Sequence, residues 1–192
     1  VVLGVIAAGV GLFITRAQTI PSTEMVADYK PNIENGKVIF NAGNCTACHM
    51  TPGQEDRTQL AGGLKMVSPF GTFYTPNISS DKVAGIGGWT ELEFVNAMKR
   101  GTGRKGEHLY PAFPYASYSL LKTSDVRDLH AYMLTLPASS TPSKPHELKF
   151  PFSIRLAVGG WKFLYFKPTE FVADTTKSPA WNRGRYLAEG PA

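Results

Sequence analysis

Cys45-Thr46-Ala47-Cys48-His49 places both cysteines of the chain, and one of its four histidines, in five consecutive positions. That spacing suits one chemistry. Two thiols three positions apart share a face of a helical turn, so both can form thioethers with the vinyl groups of a single porphyrin. His49, next in line, can then bind the iron from one side. A thioredoxin-like thiol pair requires a βαβ surround, which the flanking sequence lacks. A zinc site requires four ligands, and His108, His130 and His146 are too scattered to complete one. Covalent haem c, one in this chain, is therefore the working reading. It consumes both thiols and leaves no disulfide to infer.

Three helices are needed to hold such a group. Residues 34–43 read as the first, with Gly36 one turn before Phe40, a spacing that lets a second helix approach closely. Its partner is expected over 124–136, where Val126, Leu129, Tyr132 and Met133 fall at helical spacing and Pro137 follows. Between them, Thr90-Glu91-Leu92-Glu93 forms a capping box and Gly101 a stop, predicting a helix over 91–100. The glycine-rich stretch 51–89 is expected as loop wrapped along one haem edge. Tyr74, Asn77, Ile78 and Trp89 are the side chains expected there, Trp89 as an N–H donor to a propionate or as ordinary core.

The composition narrows the function. The 192 residues carry a net charge of +5 that is spread along the chain, with no basic run dense enough to follow a phosphate backbone, so nucleic acid is not an expected partner. No acid/base pair, phosphate loop or nucleophile constellation is evident, and bond-making catalysis is assigned to a partner rather than to this chain. Residues 1–15 are uncharged and end at Arg16. At about 1.5 Å per residue they cover roughly 22 Å, short of the ~30 Å hydrocarbon core. They are read as the outer part of a transmembrane anchor, 1–17, whose beginning is absent, followed by a tether, 18–32.

With the attachment motif placed, further blocks become legible: Gly62-Gly63-Leu64, 69–78 (PFGTFYTPNI), Gly85-Ile86-Gly87-Gly88-Trp89 and 108–115 (HLYPAFPY). Together they resemble the membrane-associated multi-haem cytochrome c family that includes the cytochrome subunits of bacterial alcohol, aldehyde and gluconate dehydrogenases. The resemblance runs from about 36 to 190. It implies an all-α class I cytochrome c fold over 33–137, with an N-terminal transmembrane helix and an irregular C-terminal extension. It also implies electron transfer from a dehydrogenase subunit to quinone or another carrier, possible further cytochromes as partners, and a haem domain on the periplasmic side of the bacterial inner membrane. Cys45, Cys48 and His49 carry over as haem-binding.

The second iron ligand does not carry over. Many relatives place a methionine shortly after the tyrosine corresponding to Tyr118, or at the position of Phe113, and this chain has neither. His108 and Lys122 are strong-field side chains within 101–123. His108 is the expected ligand, with hydrogen bonding at the haem rim as its alternative. Met98 and Met133 lie at core spacing, and an open sixth position is a further alternative. Bis-imidazole ligation would lower the potential relative to a thioether. An open position would make the chain a small-ligand binder or sensor, and a purely structural haem would make it an assembly subunit.

The extension, 138–192, begins with a Pro/Ser-rich linker, after which His146 is expected at the surface. Aromatics alternate with cations over 149–166. This suits a bilayer interface or a partner groove, and packing on a neighbouring domain is favoured. Residues 182–190 (NRGRYLAEG) echo 34–43 (ENGKVIFNAG), with a glycine, apolar residues and a second glycine about two turns on. The echo predicts that the native polypeptide continues into a second haem domain.

Overall fold

The computed structural model describes residues 2–192, and all side chains among them except those of residues 2, 3 and 5–8. Eight α-helices occur in this order among the described residues: α1 Val2–Ile14, α2 Ile33–Ala42, α3 Cys45–His49, α4 Glu91–Arg100, α5 Tyr115–Tyr118, α6 Thr123–Met133, α7 Ala157–Tyr165 and α8 Pro179–Glu189. Three short strands, β1 Lys65–Ser68, β2 Gly71–Tyr74 and β3 Glu147–Leu148, form an antiparallel sheet in the order β1-β2-β3.

Helices α2 and α6 cross at the centre, and Gly36 is the reason they can. A Cβ there would lie 2.1 Å from the Asp128 carbonyl oxygen and 2.8 Å from the Tyr132 Cβ. Phe40 meets the Tyr132 ring edge-on at 5.3 Å. Around this crossing Ile39, Leu60, Val95, Leu121, Val126 and Leu129 are buried in one cluster, each contributing about 1.5–3 kcal/mol of burial energy. Helix α4 begins at the expected capping box: Thr90 Oγ1 accepts from the Glu93 N–H, and Glu93 Oε2 accepts from the Thr90 N–H at 2.7 Å. It ends at Gly101, whose left-handed φ of 58° places it against the Tyr115 ring.

Two expectations are corrected. Helix α1 has thirteen residues, about 20 Å at 1.5 Å each, and among the described residues no helix is long and apolar enough to cross a membrane. The transmembrane helix expected over 1–17 is therefore not found; α1 ends where the Thr15 hydroxyl turns back onto the Gly11 carbonyl and Arg16 lies over the Phe13 ring. Nor is the fold purely α-helical. The stretch 51–89 contains the β1–β2 hairpin, closed by a two-residue turn that Ser68 Oγ braces by donating to the Gly71 carbonyl, and β3 pairs onto it from the extension.

The segments read as tether and linker lie on the domain surface. In the first, the Ile20 N–H donates to Asn96 Oδ1, Tyr29 donates to Asp128 and Arg127 donates to the Val26 carbonyl. In the second, Asn77 Nδ2 donates to both the Ser139 and Thr141 carbonyls, and Ser80 donates to the Leu136 carbonyl. His146 is half-buried rather than at the surface: its Nδ1 accepts from the Tyr74 N–H, and its ring sits edge-on to Phe73 and Tyr110.

Candidate functional site

The attachment motif is itself helix α3, entered through Asn44 in a left-handed conformation with φ 45°. That reversal separates the axis of α2 from that of α3 and turns the cysteines out of the α2–α6 crossing. Cys48 is exposed and Cys45 half-buried against the core cluster, both as free thiols. The Gly62 N–H donates to the His49 carbonyl at 2.9 Å and pins the end of the motif.

His49 is held as an iron ligand needs to be held. Its Nδ1 lies 2.9 Å from the Pro76 carbonyl oxygen. A carbonyl can only accept, so Nδ1 carries the proton and Nε2 keeps its lone pair for a metal. Burial lowers the imidazole pKa, against a smaller opposing effect of the Pro76 bond, and the ring stays in the neutral form that ligates. The ring itself is half-buried. Two free thiols on one turn, beside an imidazole with one nitrogen tied and the other available, fit a covalent haem.

Two aromatic residues join this site. Phe113 and Tyr118 stack edge-on at 5.4 Å and pack against the core cluster with Cys45. Burial, and then the neighbouring Cys45 and Cys48 sulfurs, hold the Tyr118 hydroxyl above the usual phenol range. From sequence, Phe113 and Tyr118 stood out only as places where a methionine is missing, and the role of Pro76 went unnoticed. Its signal was present in the Tyr-x-Pro of the 69–78 block.

The other expected site residues have mixed surroundings. Ile78 and Trp89 are half-buried against the core cluster. Asn77 is buried and committed to residues 139–141 and to the Ser79 N–H. Tyr74 donates to Glu147 Oε1 across the sheet and lies under Lys144. His108 is buried between Thr15 and α7: its Nε2 is 2.9 Å from the Thr15 carbonyl, its own carbonyl accepts from Arg155, and its Nδ1 has no partner among the described residues. Burial and then the Lys162 charge lower its pKa. Lys122 is exposed, its N–H bonded to the Tyr186 hydroxyl, and Met98 and Met133 are in the core.

Comparison with known proteins agrees with this geometry. A family model described as Cytochrome c matches residues 33–137. The chain is 42% identical over 190 residues to a protein named diheme cytochrome c-type from Cereibacter sphaeroides, covering 98% of this chain and 64% of that one. It is 40% identical over 178 residues to the fructose dehydrogenase cytochrome subunit of Gluconobacter japonicus, covering 91% and 36%. It is 34% identical over 161 residues to the gluconate 2-dehydrogenase cytochrome c subunit of Pantoea cypripedii, covering 82% and 36%. The chain thus spans less than two thirds of the length of each of these relatives.

Proposed function

The chain belongs to the cytochrome c family, and from that premise we propose that it is an electron-transfer subunit of a dehydrogenase complex, working through a haem attached at Cys45 and Cys48. The observation that carries this reading is the His49 imidazole, oriented by the Pro76 carbonyl beside two free thiols. When bound, the group supplies a one-electron iron couple. Cys45 and Cys48 would fix it to α3, and His49, its Nε2 left free by the Pro76 bond, would ligate the iron. Phe113 and Tyr118, packed with Cys45 against the core cluster, would exclude water near the thiols, and Trp89 would add apolar surface from the loop side. Bond chemistry on the substrate belongs to the partner subunit. The names of the fructose and gluconate dehydrogenase relatives support that kind of partner.

In this reading the haem domain works on the periplasmic side of the bacterial cell membrane. One haem is assigned to this chain. The echo of 34–43 in 182–190, together with the two-haem name of the Cereibacter relative, supports a second haem domain in the native polypeptide.

His108 would ligate the iron only through Nδ1, because Nε2 is held by Thr15. That tie favours a second reading, in which no side chain of this chain would take the second ligand position. Optical spectra of the reduced protein with and without carbon monoxide separate the two. Sharp low-spin bands unmoved by the gas, and lost in His108→Ala, establish the bis-imidazole haem; a shifted Soret band establishes the open site. Extraction in acid acetone tests the function as a whole. Pigment that stays with the protein, and leaves it in Cys45→Ala/Cys48→Ala, is the expected result. Pigment that is freely extracted overturns the assignment.

A further inference from the structure

More than half of the exposed large apolar side chains described lie in two short stretches, 10–14 and 150–165. The two stretches meet. Gly159 of α7 seats the end of α1 so closely that a Cβ there would lie 2.1 Å from the Thr15 carbonyl oxygen. On either side of that seat, Leu12, Phe13, Phe163, Leu164 and Tyr165 stand 57–70% exposed. Solvent-facing residues of this kind in adjoining segments mark a surface that something covers.

The charges carried by these segments have one sign. Residues 10–18 and 149–167 hold Arg16, Lys149, Arg155, Lys162 and Lys167 and not one acidic residue. Between the two segments lies a cleft of about 90 Å³ lined by Arg16, Gln18, Arg100, Lys162, Phe163 and Phe166. None of its three cations forms an ion pair among the described residues. Arg16 lies over the Phe13 ring, and Lys162 is spent on the Arg100 and Gly101 carbonyls above the Tyr115 ring. Burial without a carboxylate lowers the Lys162 pKa to about 8, and an anion arriving in the cleft would offset that cost.

We propose that the surface formed by the end of α1 and by α7 docks flat on an anionic phospholipid leaflet, with the apolar side chains in the interfacial layer and a lipid phosphate in the cleft between Arg16 and Arg100. Charge complementarity selects this occupant. An apolar strip whose own segments carry cations and no carboxylate matches the anionic headgroup layer, where long basic side chains keep their charge in the wet zone while their stems cover apolar surface. A protein partner would have to present an acidic face of the same shape, and its binding there is an outcome of the test below. The contact lies in the plane of the membrane, which a nine-residue α7 can achieve without spanning it. It requires nothing of the iron site, so either reading can fail without the other.

The test is flotation of the full-length, haem-loaded protein with vesicles. Mixed phosphatidylglycerol–phosphatidylethanolamine vesicles should retain it, and phosphatidylcholine vesicles should retain at least tenfold less. Phe163→Ser/Leu164→Ser should abolish retention. Arg16→Gln/Arg100→Gln should weaken it on the order of twentyfold, about fivefold for each cation at the surface. Unchanged haem spectra and melting temperatures show that each variant is folded; a variant that fails this check is replaced by Tyr165→Ser, which should weaken retention, or by Arg16→Gln alone, which should weaken it about fivefold. Absence of retention by the unaltered protein, equal retention on zwitterionic vesicles, or retention undiminished in the variants overturns the proposal. So does binding of this surface to a purified dehydrogenase subunit that leaves no lipid affinity.

Discussion

Helices α2 and α8 share a sequence pattern and are packed in opposite ways. In α2 the first glycine of the pattern, Gly36, lies hard against the backbone of α6, whereas its counterpart in α8, Gly184, has nothing within 4 Å of where a Cβ would stand. Helix α2 hands on through a left-handed Asn44 into the attachment motif. Helix α8 is instead held by a side chain: Tyr186 is buried, donates to Asp125 Oδ2 at 2.6 Å and accepts from the Lys122 N–H. The same text is thus a crossing point in one place and a docked strut in the other. A glycine in a repeat identifies a close crossing only when a second helix is present to use it.

Substitutions at these positions can break that contrast. The largest effect is expected at Gly36→Ala, where the new methyl would overlap the Asp128 carbonyl and cost about 3 kcal/mol or more. Denaturant titration measures it; a loss below about 1 kcal/mol would show that the crossing is looser than described. Tyr186→Phe should cost about 1–2 kcal/mol, since it removes the acceptor of the Lys122 N–H and a hydroxyl bonded to a carboxylate. A double-mutant cycle with Asp125→Asn should show strong coupling, as expected for two groups in one network. Gly184→Ala should stabilise by about 0.5–1 kcal/mol through helix propensity in open space, and a destabilisation there would mean that α8 has a close neighbour after all.

The smallest effect is a dependence on acid. His130 of α6 stacks on Phe94 at 4.5 Å with its Nε2 buried and unpartnered, and burial lowers its pKa, opposed by the Glu91 charge. The unfolded chain therefore binds a proton more readily than the folded one near this group. Stability is full above the unfolded value of about 6.5, declines as pH falls below it, and stops declining once pH is under the folded value. Melting curves on the acid side of neutrality should show this limb, and His130→Phe should flatten it.

What could be read from the residues depends on the range of the interactions. Helix α4 was legible at both ends because its cap and its stop lie within one turn of the helix itself. The α2–α6 crossing was legible because Gly36 and the apolar spacing of 124–136 agree, although the two stretches are distant in the chain. The sheet was not, since β2 and β3 are separated by more than seventy residues and Val67, one of two apolar residues in β1, points outward at 76% exposure. The transmembrane helix expected over 1–17 is not found because the thirteen residues of α1 cover only about 20 Å, too short to cross a membrane. At the site, Cys45, Cys48 and His49 were evident from spacing. Their neighbours Pro76, Phe113 and Tyr118 come from distant turns and become visible only when the chain is folded.

The hold of Asn77 on residues 139–141 has one more consequence. By composition, Pro137–Pro145 is the stretch at which a protease would be expected to part the haem domain from the extension, yet carbonyls in and beside it are engaged by Asn77 and Ser80. Cleavage there should be slowed, because these bonds have to break before the strap can enter a protease. The rate of nicking is consequently a gauge of how often the strap lifts from the domain, and Asn77→Ala should raise it.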